Sequence, residues 1–119
     1  MKTENKIQEM TFDFSLQLIS LYKILVEKKE FVLSKQLLRC GTSIGANVEE
    51  ATAAQSKRDF ISKMAIASKE ARETRYWLRL LEKSKLVEID YSDYLTRTEH
   101  IINILTKIVK TSQDTIRGA

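Results

Sequence analysis

The chain has 119 residues, of which 43% are hydrophobic and 30% are charged; this composition fits one folded domain and excludes a disordered chain. Its 20 Lys and Arg residues against 16 Asp and Glu residues leave a net charge of +4. Three glycines and no proline argue against sheet-rich folds, whose turns rely on these residues. With one cysteine and one histidine, the chain has no intramolecular disulfide, and we expect no metal and no cofactor.

The first half of the chain carries two apolar stripes at helical spacing. The first stripe predicts a helix from about Glu4 to Lys28. The second predicts a helix from about Leu33 to Ala54, with Ser34 as its N-cap. Gly41 and Gly45 lie in its middle. Because glycine costs about 1 kcal/mol inside a helix, we expect a kink or, in preference, close packing of a neighbouring backbone at these positions.

The second half of the chain predicts two more helices. Ser56 is a candidate N-cap for a third helix that ends near Lys85. Asp90 or Ser92 can cap a fourth helix that reaches about Asp114, and we expect the tail beyond residue 115 to fray. Four such helices joined by short turns predict an all-α, up-down-up-down antiparallel four-helix bundle that forms a single domain over residues 1–119. No apolar run approaches the roughly 18 residues that span a bilayer, so we expect a cytoplasmic protein with no membrane partner.

The third helix carries most of the charge asymmetry. Residues 57–85 hold nine basic and four acidic side chains, so this segment has a net charge of +5 and the rest of the chain −1. At about 100° per residue, seven cations fall on one arc away from the apolar side: Lys57, Arg58, Lys69, Arg72, Arg75, Arg79 and Lys83. This basic stripe either contacts the phosphates of RNA or DNA, or forms a solvated surface laced with Glu–Lys pairs.

The same helix has apolar residues on a second side. Ile66, Trp77 and Leu80 lie between the core side and the basic stripe, and Tyr76 lies at the border of the stripe. Because a helix in an isolated bundle needs only one apolar face, this second side predicts a subunit interface. The alternative is that Trp77 covers an adjacent helix within the same chain.

Candidate catalytic residues fail on their spacing. Glu49 and Glu50 are adjacent, so their side chains point to different sides of a helix. Cys40 has no plausible base nearby in the sequence. Arg97 and His100 are too close together for the Arg–His motif of small four-helix RNases. We therefore predict that the protein is not an enzyme.

Five runs of the sequence resemble the second and third helices of bacterial four-helix-bundle proteins, also called 23S rRNA intervening-sequence proteins. The runs are SKQLLR at 34–39, SIGANVEE at 43–50, QSKRDF at 55–60, IASKEARE at 66–73 and YWLRLL at 76–81. Polar positions match along with apolar ones, which makes the motif moderately specific. The chain departs from the pattern at Gly45, where many members carry proline.

The resemblance implies a four-helix bundle that assembles as a ring, with a homopentamer favoured, and no known catalytic activity. Some members are encoded within inserts in 23S rRNA genes. A related branch, the accessory variability determinants of diversity-generating retroelements, binds a reverse transcriptase and nucleic acid. The resemblance also suggests that Asn47 and Glu73 lie in a polar contact between helices or subunits, because buried polar groups need partners; the alternative is surface exposure.

These observations favour a non-enzymatic, oligomeric helical bundle that acts as an RNA- or DNA-associated protein or an adaptor through its basic stripe. The alternative is a protein–protein interaction module that does not bind nucleic acid.

Overall fold

The computed structural model describes residues 2–118 of the chain, and the side chains of residues 6–118. Its four α-helices are α1 (Lys2–Glu27), α2 (Leu33–Thr52), α3 (Lys57–Ser84) and α4 (Ser92–Gly118). α4 extends past residue 115, where fraying is expected, and continues to Gly118; Ala119, the last residue of the predicted tail, lies outside the described residues. Ile116 lines the same surface groove as Ile61 of α3, so the last turn of α4 lies beside the start of α3.

The helices pack in chain order into an elongated body of 52 × 22 × 22 Å. Each helix packs extensively against the next, and α4 closes more lightly onto α1. Within residues 2–118, no Cα atom of α1 comes within 8 Å of one in α3, so these two helices occupy one diagonal of the bundle. The predicted all-α four-helix bundle is therefore confirmed.

The core follows the apolar stripes that the sequence shows. In α1, the stripe from Ile7 to Leu25 is almost fully buried, apart from the half-buried Met10. α3 contributes the two buried alanines Ala67 and Ala71, whose small side chains leave room for larger residues of its neighbours. Each large apolar side chain that leaves water contributes about 1.5–3 kcal/mol to folding, so the matched stripes supply the main stabilisation of the bundle.

α1 and α2 approach closely at the two glycines of α2. A Cβ atom on Gly41 would lie 2.0 Å from Cδ1 of Leu18 in α1. A Cβ atom on Gly45 would lie 3.2 Å from the backbone oxygen of Thr11. The predicted close packing of a neighbouring helix is therefore confirmed, and a side chain at Gly41 would require Leu18 to move.

The N-cap predicted for α2 is wrong. The helix begins at Leu33, and its free N–H groups donate to the carboxylate of Glu30 instead of to Ser34. The N–H groups of Val32 and Leu33 each lie 3.1 Å from Oε2 of Glu30, and that of Ser34 lies 2.5 Å from Oε1. Lys29 adopts a left-handed backbone conformation with φ of 65°, which turns the chain so that Glu30 faces the helix start.

The other two caps agree with the sequence. The Asp59 N–H donates to Oγ of Ser56 at 3.0 Å, so Ser56 is the N-cap of α3. At the start of α4, the N–H and the hydroxyl of Ser92 both donate to the carboxylate of Asp90, at 2.9 and 2.6 Å. These donors stabilise the ionised carboxylate and hold the pKa of Asp90 below its ordinary value.

Candidate nucleic-acid interface

The basic stripe of α3 borders the groove between α3 and α4. Two contacts show that the basic stripe lies on the side of α3 near α4: Arg72 donates to Oγ1 of Thr106 at 3.1 Å, and Arg75 donates to Oε2 of Glu99 at 2.9 Å. Since the remaining cations of the stripe fall on the same arc, they line this groove or the solvent-facing surface next to it.

Most cations of the stripe have no acidic partner among the side chains of residues 6–118. Arg75 forms an ion pair with Glu99, and Nζ of Lys83 lies 3.7 Å from Oε1 of Glu82. Among the described side chains, no ion pair involves the other five: Lys57, Arg58, Lys69, Arg72 and Arg79. In a solvated helix surface built from Glu–Lys pairs, most cations would have an acidic neighbour. In this stripe only Arg75 and Lys83 have one among the described side chains.

The opposite flank of α3, which faces α2, has a different arrangement. Arg39 of α2 donates to Glu73 and lies 3.7 Å from Glu70. Lys63 pairs with Glu50 at 2.9 Å, and this contact raises the pKa of Lys63 above its ordinary value. Cations on this flank are thus engaged in contacts between helices, whereas those of the basic stripe are largely available to a ligand.

α4 adds two cations that the sequence analysis missed. Lys110 lies with Arg72 in the middle of the groove between α3 and α4, and Arg117 lies with Arg58 at its end. The signal in the sequence was a polar row on α4 at intervals of three and four residues, composed of Thr106, Lys110, Gln113 and Arg117. It is recognisable only once α4 is known to pack beside the basic side of α3.

The predicted interface residues of α3 divide into two groups. Ile66 and Tyr76 are 39% and 56% exposed. Trp77 and Leu80 are half-buried; Trp77 packs against the core, and its indole N–H donates to Oε2 of Glu73 at 3.0 Å. Trp77 therefore covers the flank of its own bundle, which was the alternative interpretation, while its role between subunits stays a prediction.

The two polar residues assigned to contacts have partners within the chain. Asn47 donates to the backbone oxygen and to Oγ of Ser43, one turn earlier in α2, at 2.9 and 3.0 Å. Glu73 accepts from Arg39 of α2 as well as from Trp77. Glu73 thus joins two helices, and Asn47 bonds within its own helix; no contact between subunits is tested by this geometry.

α1 carries an apolar surface that the sequence analysis did not identify. Phe12, Leu16 and Ile19 are 63%, 51% and 43% exposed. Their spacing of four and three residues places them on one side of α1, roughly opposite its buried stripe. We call these three residues the α1 apolar stripe. Large contiguous apolar surfaces on a bundle exterior are typical of protein interfaces.

Cys40 is a buried structural residue of α2. Thr74 donates to its sulfur at 3.3 Å, and burial raises the pKa of the Cys40 thiol to about 11. The thiol is therefore protonated at neutral pH and is a poor nucleophile. His100 is exposed on α4, in a groove that it shares with Asp13 of α1.

The raised pKa of Cys40 predicts a loss of stability in alkali. Between pH 9.0 and about 11 the unfolded thiol ionises and the folded one does not, so the free energy of unfolding falls with rising pH. Below this window the contribution of the protonated thiol is fully present. Urea unfolding across the window should show a steeper decline for the wild type than for Cys40→Ala, in which the other groups titrate unchanged. Equal declines in the two proteins would contradict the assignment.

A membrane-spanning helix and a metal site would each require particular features among the described residues. Within residues 2–118, no helix is long and apolar enough to cross a membrane. In the same part of the chain, no cluster of three or more His, Cys, Asp or Glu residues is arranged to hold a metal ion.

Known proteins similar to this chain share its fold. The family model of the 23S rRNA-intervening sequence proteins matches residues 3–107. A crystal structure of a protein with unknown function from the S23 ribosomal protein family of Bacteroides thetaiotaomicron superposes with a TM-score of 0.87; it is 45% identical, over 91% of this chain and 98% of that one. No protein of curated function matches. The resemblance seen in α2 and α3 is thus confirmed, and the chain belongs to the 23S rRNA-intervening sequence protein family.

Proposed function

We propose that this protein is a non-enzymatic, self-associating bundle that binds RNA through the basic groove between α3 and α4. The observation that carries the proposal is the lack of acidic partners for five of the seven cations of the basic stripe within the described residues. Cations that stabilise no ion pair in the fold repel one another. A polyphosphate relieves this repulsion, and each neutralised phosphate releases condensed counterions.

The dimensions of the basic stripe suit a short stretch of nucleic acid. From Lys57 to Lys83 it follows α3 for about 39 Å at 1.5 Å per residue. A strand with one phosphate per about 3.4 Å would place roughly 11 to 12 nucleotides along this length. Lys110 and Arg117 on α4 widen the basic surface to both walls of the groove.

The proposal is tested by a gel-shift experiment with a labelled RNA of mixed sequence, about 12 nucleotides long to match the stripe. At about 50 mM salt we expect a retarded complex that dissociates when the salt is raised fourfold, as phosphate contacts require. Absence of a complex at the lower salt would reject the RNA-binding function.

We further propose that self-association uses the α1 apolar stripe and that its occupant is a second copy of this chain. α1 lies diagonally opposite α3, so copies that meet at α1 leave the basic groove free. The resemblance favours a ring, with a pentamer as the expected size. Such an assembly presents several basic grooves at once, and this multivalency raises the avidity for a long RNA.

Replacing Leu16 by Glu is expected to reduce the assembly to single chains, because it puts a carboxylate in the middle of the α1 apolar stripe. Leu86→Glu is a matched control, since Leu86 is 58% exposed in the turn between α3 and α4 and lies outside the α1 apolar stripe. Native mass spectrometry should show the wild-type oligomer in the control and a monomer in Leu16→Glu. A monomeric wild type, or an unchanged mass in Leu16→Glu, would exclude this interface.

A second candidate function is a protein-interaction module that does not bind nucleic acid. The α1 apolar stripe favours it, because exposed Phe, Leu and Ile side chains suit a protein partner better than RNA. In that case a partner such as a reverse transcriptase would bind equally to the wild type and to a variant with a charge-reversed basic stripe, and neither protein would shift RNA.

A further inference from the structure

We infer that the basic stripe of α3 prefers single-stranded nucleic acid to a duplex, because Tyr76 provides a surface on which an unpaired base stacks. The inference rests on the proposed function, since it concerns the same cations. It replaces the earlier assignment of Tyr76 to a subunit interface.

Tyr76 lies next to two cations of the basic stripe. Arg72 precedes it by four residues and Arg79 follows it by three, so all three side chains emerge from the same side of α3 on successive turns. Lys69 and Lys83 lie two turns away in either direction. Although Tyr76 is a large aromatic residue, 56% of it is exposed, so most of its surface makes no contact within the bundle.

The ring of Tyr76 is supported from one side by Trp77. The two rings make an edge-type contact, with centroids 5.1 Å apart and an interplanar angle of 75°. Trp77 is fixed in turn by its packing against the core and by its hydrogen bond to Glu73. A ring that is held in place before binding loses less conformational entropy when a ligand covers it.

The combination of an exposed aromatic ring and flanking cations matches a single strand. Unpaired bases expose their faces, and stacking of one base on an aromatic residue strengthens binding by about 5- to 100-fold. In a duplex the base faces are already stacked inside the helix, so only the phosphates are available to the basic stripe. Tyr76 therefore adds to the affinity for a single strand and contributes little to that for a duplex.

The surrounding charge disfavours a second copy of the chain as the occupant of this site. A two-fold contact centred on Tyr76 would bring Arg72 and Arg79 close to the same residues of the partner, and like charges in an interface are costly. An anionic strand that carries aromatic bases meets both features of the site at once.

The test compares an adenine-rich single-stranded RNA of about 12 nucleotides with the duplex formed by the same RNA and its complement. Fluorescence anisotropy with wild type, Tyr76→Leu and Tyr76→Phe gives the dissociation constants. We expect Tyr76→Leu to bind the single strand about 5- to 100-fold more weakly and to bind the duplex as the wild type does. Tyr76→Phe keeps the ring and should behave as the wild type. Equal losses for the two RNAs, or no loss for the single strand, would overturn the inference.

A second readout uses the wild type alone. Trp77 is the only tryptophan of the chain and lies against Tyr76, so a base stacked on Tyr76 should quench the fluorescence of Trp77. We expect the single strand to quench Trp77 and the duplex to leave it unchanged. Anisotropy that reports binding of the single strand without quenching would contradict stacking at Tyr76 while leaving the proposed function intact. Binding of neither RNA would reject both.

Discussion

Replacing Gly41 by valine is expected to lower the free energy of unfolding by about 3 kcal/mol, the upper part of the range for overpacked cores. The new Cβ would lie 2.0 Å from Cδ1 of Leu18, so the buried Leu18 side chain has to move within a packed core. Leu18 then leaves its preferred rotamer or pushes α1 away from α2, and either change loosens the core that the two helices share. Valine has a better helix propensity than glycine by a few tenths of a kcal/mol, which offsets only a small part of the loss.

Urea unfolding followed by circular dichroism measures this effect, and Ala46→Val provides the matched control. Ala46 is exposed on α2, so the control introduces the same β-branched side chain into the same helix without touching α1. We expect its stability to stay within about 0.5 kcal/mol of the wild type. If Gly41→Val unfolds at the same urea concentration as the wild type, the close approach of α1 and α2 at this position is wrong.

Replacing Arg58, Arg72 and Arg79 by Glu is expected to weaken RNA binding by at least about 100-fold at low salt, since it removes three phosphate contacts and adds three repulsive carboxylates. None of the three arginines forms an ion pair among the described residues, so the fold should lose little stability. Arg72 gives up one exposed hydrogen bond to Thr106.

The control for this variant separates local contacts from total charge. Each reversal changes the charge by two units, so the three together take the net charge from +4 to −2. Reversing three other exposed lysines gives the same net charge: Lys6 on α1, Lys28 in the turn after it, and Lys35 on α2. Anisotropy should show near wild-type affinity for this control. Equal losses in both triple variants would assign the binding to net charge and not to the groove.

The bundle itself was predictable because each helix has an apolar stripe of the right period and the connections are short. The helix caps were harder to predict when the capping residue lies several residues before its helix. Ser56 precedes its helix directly and was identified, whereas Glu30 caps α2 from three residues before the helix start. That contact depends on the left-handed conformation of Lys29. A glycine at this position would have indicated such a turn in the sequence, but a lysine does not.

The surfaces were harder to predict than the core. The sequence analysis followed the stronger core stripe of α1 and did not consider the exposed Phe12, Leu16 and Ile19 on the other side of the same helix. Whether Trp77 is buried within the bundle or exposed depends on the angle at which α3 meets α2, and helical periodicity does not specify that angle. The cations of α4 join those of α3 only through packing, as Lys110 and Arg72 show.

The salt dependence of RNA binding tests the central claim most directly. If the five cations without acidic partners contact phosphates, the logarithm of the association constant should fall against that of the salt concentration with a slope of about −3.5, at roughly −0.7 per contact for a single strand. Arg79→Gln should make the slope shallower by about 0.7. Affinity that does not change with salt, or no binding at about 50 mM, would contradict a phosphate-binding groove between α3 and α4.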